Sequence, residues 1–130
     1  MSAATLTERV QPLVAVVCSV PMVFEALRDA LESIASVRVF PADEGIAGLL
    51  RSVAPDAVIV DNDEEAQRAE PIARELGIEL VHLGLLEHYV RVFRDGSWQA
   101  ADHGDGVSTE SVRNIVAGGL YGRRERDERH

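Results

Sequence analysis

Lysine is absent from this chain: all 13 of its cations are arginines, set against 22 acidic residues, for a formal net charge of −9. The lack of positive charge speaks against nucleic-acid binding, which needs a basic face for phosphate contacts, and against attraction to anionic membrane surfaces. Only one cysteine is present, Cys18. A lone thiol closes no intramolecular disulfide, so nothing calls for an oxidising compartment. No apolar run reaches the roughly 20 residues that cross a bilayer. The stretch from Leu13 to Phe24 resembles a signal-peptide core, but Glu8-Arg9 leaves no basic lead, Pro21 interrupts the run and Glu25 ends it. A cytoplasmic protein is expected. Glycines are missing where a phosphate-binding loop would need them, because Cys18-Ser19-Val20-Pro21 lacks the fingerprint of dinucleotide and P-loop sites.

What remains is a chain of 130 residues, 46% hydrophobic and 27% charged, the size and balance of one globular domain with a continuous core. Its centre is Ala57-Val58-Ile59-Val60, an apolar and mostly β-branched run that ends abruptly in Asp61-Asn62-Asp63. A strand buried on both faces and emerging at a sheet edge has this pattern. Similar runs lie at Leu13 to Cys18 and Ile78 to Leu83, with a shorter, more exposed strand from Val37 to Phe40.

Helical patterns separate these strands. Val23, Leu27, Leu31 and Ile34 share one face of a helix that Ser19 is placed to cap, with Pro21 in its first turn. Ile46, Leu49, Leu50 and Val53 form a short helix before Pro55. Asp63-Glu64-Glu65 opens a third helix, where the macrodipole favours acids, and Gly77 is suited to end it. Pro71 within that segment implies either a kink or a later helix start.

After Leu83 the repeat changes. Tyr89 to Arg94 alternates, Asp95-Gly96 is a hairpin turn signal, and Ser97 to Ala100 returns. Too few residues separate Leu83 from Tyr89 for a crossover helix, so an antiparallel hairpin is expected at the sheet edge. Ser108 then precedes a last helix carrying Val112, Ile115, Val116 and Leu120, expected to fray at Gly118, Gly119 and Gly122. The expected organisation is a loose lead-in over 1–12, a single domain over 13–122 and a solvated charged tail over 123–130. The order of elements implies an α/β, flavodoxin-like three-layer sandwich with a mostly parallel sheet. Its switch point lies at the carboxyl ends of the first and third strands, which brings Cys18, Ser19 and Asp61 together, with Asp43 and Glu44 at the next strand end.

This order, with Asp61 closing the third strand, resembles the receiver domain of bacterial response regulators. The resemblance runs over roughly Leu13 to Leu120, and Ser108-Thr109-Glu110 is similar to the start of the family's last helix. It implies that Asp61 stands at the phosphoacceptor position. The family's acidic, Mg²⁺-holding pair falls on Cys18 and Ser19, poor ligands for a hard cation. The family's Ser or Thr after the fourth strand falls on Leu83 or Gly84, and its Lys has no counterpart. Arg91 supplies a positive charge, though not an interchangeable ammonium. Phosphoryl transfer depends on positioning and neutralising charge on the phosphoryl oxygens, so these losses imply a degenerate, non-phosphorylated receiver. The alternative is an unconventional Mg²⁺ site in which Asp43, Glu44 and Asp63 approach Asp61. No cofactor is expected otherwise.

Three further groups complete the candidates. His82, His88 and His103 with Asp102 and Asp105 match no compact metal-ligand spacing and read as scattered, partly exposed side chains. Cys18 reads as a small buried hydrophobe in preference to a reactive thiol, and Ser19 has no recognisable base. Tyr89, Phe93 and Trp98 on the hairpin either cover the sheet or form a contact surface for a protein partner or a homodimer. A ligand held in the strand-end crevice is a further alternative and requires a pocket there.

Overall fold

The computed structural model describes residues 12–17, 19–40, 45–84, 89–100 and 109–128. Six strands and four helices follow one another in these segments: β1 (Leu13–Val17), α1 (Pro21–Leu31), β2 (Ser36–Phe40), α2 (Ile46–Val53), β3 (Ala57–Val60), α3 (Asp63–Leu76), β4 (Glu79–Gly84), β5 (Tyr89–Arg94), β6 (Ser97–Ala100) and α4 (Thr109–Glu128). The strands form one sheet in the order β2-β1-β3-β4-β5-β6. The first four run parallel, and β5 and β6 are antiparallel additions at one edge. This is the flavodoxin-like α/β sandwich, with the reversal of strand order between β1 and β3.

Alternation along the central strands builds two cores. Val14, Val16, Ala57, Ile59, Val81 and Leu83 face Leu27 and Leu31 of α1 and Val112 and Val116 of α4. Ala15, Val17, Val58, Val60 and Leu80 face Ile46 and Leu50 of α2 and Ala66, Ala69 and Ala73 of α3. All four residues of β3 are buried, which explains why this segment carries no polar alternation. Fully burying a Val or Leu side chain contributes about 1.5–3 kcal/mol.

β5 returns antiparallel to β4 because residues 85–88 are too few for a crossover helix, and β6 follows it in a hairpin. Its turn places Asp95 at φ 54° and Gly96 at φ 84°, both left-handed, as a two-residue turn matched to strand twist requires. Phe93 pairs with Trp98 across it.

Several expectations are corrected. Ser19 does not cap α1; Val20 occupies that position, without a side-chain cap, because the serine hydroxyl is turned to Asp61. Asn62 caps α3 by accepting from the Glu65 N–H at 2.8 Å. Pro71 lies inside this helix, so of the two alternatives the later helix start is excluded, and the exposed ring leaves the apolar side to Ala66, Ala69, Ile72 and Ala73. Gly77, at φ 71°, ends it as anticipated. The last helix does not fray at its glycines. Its backbone continues as helix to Glu128.

Candidate functional site

At the switch point, β1 and β3 run side by side, with Val17 opposite Val60, and deliver Ser19 and Asp61 to the same edge. The Ser19 N–H donates to Asp61 Oδ2 at 2.9 Å. Its hydroxyl lies 3.2 Å and 3.1 Å from Oδ1 and Oδ2 and offers one proton between them. Asn62 Nδ2 adds a donor to Oδ1 at 3.3 Å, while the asparagine oxygen faces the Glu65 amide. That pair of contacts fixes the orientation of the Asn62 amide. Asp61 is thus enclosed by donors from the ends of β1 and α3, and it stays half-exposed. The Ser19 hydroxyl serves as donor to the Asp61 carboxylate.

Asp63 does not turn toward Asp61. Its Oδ1 lies 3.3 Å from His82 Nε2 and 3.5 Å from the Tyr89 hydroxyl. Among the described residues, no group of three or more His, Cys, Asp or Glu is placed to hold a metal ion. Cys18, Asp43 and Glu44, and the His88, His103, Asp102 and Asp105 of the metal hypothesis, lie outside the described residues.

The sequence reading missed His82. Its sequence context suggests a partly exposed side chain, but only 1% of it is accessible. It occupies the same face of β4 as Leu80, with Arg91 directly opposite on β5. Arg91 Nε donates to His82 Nδ1 at 2.9 Å. The Tyr89 hydroxyl lies 3.5 Å from the same nitrogen. An arginine can only donate, so Nδ1 must be the acceptor and the imidazole is neutral, with its proton on Nε2 facing Asp63. The available signal was position: His82 lies inside a buried strand, at the alternation that points toward α3.

This polar core continues to the sheet edge. The Arg91 guanidinium stacks 4.1 Å from the centre of the Trp98 ring. The indole N–H of Trp98 donates to Glu70 Oε1 of α3 at 2.7 Å, and Glu70 Oε2 pairs with Arg74 at 3.2 Å. Of the three aromatic contact candidates, Phe93 is buried between Leu80 and Trp98 and packs in the core, whereas Tyr89 and Trp98 are half-exposed. Arg91 is bound into the hairpin and does not serve as a free cation at Asp61.

On the opposite face, Arg94 Nε donates to Glu79 Oε2 at 2.8 Å, and Arg94 Nη2 reaches the Ile115 carbonyl at 3.3 Å. A cavity of about 200 Å³ opens beside this pair, lined by Asp56, Arg74, Gly77, Phe93 and Gly119 among others. It lies at the amino end of β4, away from the crevice between β1 and β3.

Comparisons with protein-family models, with curated proteins and with solved structures found no match. Among the described residues no helix is long and apolar enough to cross a membrane. Fold and site together define a flavodoxin-like α/β protein with an enclosed aspartate at its switch point.

Proposed function

We propose that this chain is a receiver-like signalling module that acts through protein contacts, without phosphoryl transfer at Asp61. The observation that carries the reading is the capture of the Asp61 carboxylate by the backbone and hydroxyl of Ser19. In the receiver pattern this neighbourhood is acidic and metal-binding. Here it donates hydrogen bonds to the aspartate, so an incoming phosphoryl group must displace those donors and then find a cation. Arg91 is committed to His82 and Trp98, and Arg68 to Glu64 and Glu65. Charge neutralisation is a large part of phosphoryl-transfer catalysis, and the described groups around Asp61 offer little of it. The half-exposed Tyr89 and Trp98 at the sheet edge suit a contact surface for a protein partner or a second copy.

The test is intact mass after incubation with a small-molecule phosphodonor, with and without Mg²⁺, using Asp61→Asn as the control. The expected result is no adduct under either condition. A Mg²⁺-dependent phosphate adduct that vanishes in the variant would overturn the proposal and make Asp61 a phosphoacceptor.

A further inference from the structure

Neither nitrogen of the buried His82 ring is idle, and the two face groups of opposite character. Nδ1 accepts from the cationic Arg91, while Nε2 faces the carboxylate of Asp63. We propose that His82 and Arg91 form an acid-released latch that holds Arg91 against Trp98 within the β5–β6 hairpin, opened when His82 gains a second proton. The inference stands apart from the signalling role and requires no partner.

The argument is one of hydrogen-bond valence. The neutral ring offers one acceptor, and Arg91 occupies it. A proton added at Nδ1 turns that acceptor into a donor, so two donors, both on cations, then face each other across 2.9 Å. They cannot remain partners. The Nε2–H bond to Asp63 is strengthened in the charged form. At Nδ1, the Tyr89 hydroxyl oxygen, already 3.5 Å away, can accept the new proton. Protonation therefore exchanges Arg91 for Tyr89.

Arg91 is also the cation stacked on Trp98, so its departure removes one of the contacts that hold β6. The indole then keeps its bond to Glu70 and its packing on Phe93. Among the described residues, the groups around the ring come from four elements. Asp63 faces it from α3, Tyr89 and Arg91 from β5, uncharged Trp98 from β6, and apolar Val60 is its register neighbour on β3. Glu65, the buried acid of α3, is held by Arg68. Glu87 and His88 of the connecting segment lie outside the described residues.

The experiment follows the imidazole nitrogens of His82, the Arg91 Nε–H and the Trp98 indole N–H by nitrogen-15 NMR on the full chain, from about pH 8 to about pH 5, across the range in which histidine titrates. The expected result is an Nε2–H tautomer at the upper end, with all three signals then moving at one shared midpoint. In Arg91→Gln the indole should cease to follow His82. In Glu70→Gln it should still follow, which separates the latch from direct titration of the indole's acceptor. The proposal is overturned if His82 stays neutral until the protein unfolds, if it titrates while Arg91 and Trp98 stay unmoved, or if the indole no longer follows in Glu70→Gln.

Discussion

Gly84 and Tyr89 are register partners at the end of the β4–β5 pair, and the Tyr89 ring occupies the space that a Cβ on Gly84 would fill. The glycine is needed for a neighbour and not for its backbone angles. Only with that space empty can the tyrosine lie edge-on to His82, with ring centres 5.5 Å apart, and bring its hydroxyl to Asp63.

Gly84→Ala is therefore expected to push the ring outward and to destabilise the protein by about 1–3 kcal/mol, the usual range for forcing an added methyl into a packed site. Urea unfolding measures the loss. Tyr89→Phe, which keeps the ring and deletes only the hydroxyl, should cost less.

Adjacent glycines on α4 should respond in opposite directions. A Cβ at Gly118 meets nothing among the described residues, so Gly118→Ala should raise stability by up to about 1 kcal/mol through helix propensity. A Cβ at Gly119 would overlap the Glu79 carboxylate, which is buried and tied to Arg94. Gly119→Ala should therefore destabilise by about 1–3 kcal/mol. Thermal unfolding of the two variants side by side settles the sign.

Ala54 ends α2 with φ 49° and ψ 58°, a left-handed conformation that its methyl group disfavours. Ala54→Gly should stabilise by roughly 1 kcal/mol, because glycine adopts that conformation without steric penalty. An unchanged or lowered denaturation midpoint would contradict this.

Asn62 has two roles, capping α3 and donating to Asp61. Asn62→Ala should cost about 1 kcal/mol from the lost cap. Asn62→Asp keeps an acceptor for the Glu65 amide but sets a carboxylate against Asp61, so its stability should fall between the wild type and the alanine variant. Chemical denaturation of the three proteins tests the order.

Much of the architecture was legible in the residues themselves. Val58-Ile59-Val60 reads as a doubly buried strand because nothing polar interrupts it, and Asp95-Gly96 reads as a turn because few other pairs accept two left-handed angles. Gly77 was readable for the same reason. The proximity of Ser19 to Asp61 followed once the strand order was inferred. The role of Ser19 did not. A serine before a helix is ordinarily a cap, and only the neighbouring strand supplied a carboxylate that competes for its hydroxyl.

His82 and Pro71 mark the limit of such reading. The position of His82 in an apolar strand signals burial but not its partners, since Arg91, Tyr89 and Asp63 lie on other elements and meet it only after the hairpin folds back and α3 docks. Pro71 was ambiguous because a proline is tolerated in a helix's first turn and costs a hydrogen bond within it, and in the fold it falls within the helix, on the exposed side. Local composition and periodicity determined the strands, the helices, the turn and hence the class of fold, because burial on one or two faces and backbone angles act within a few residues. Which donors enclose Asp61, and which groups hold the buried histidine, were decided by tertiary structure alone, because hydrogen-bond partnership depends on which side chains are brought within about 3 Å of one another across distant segments.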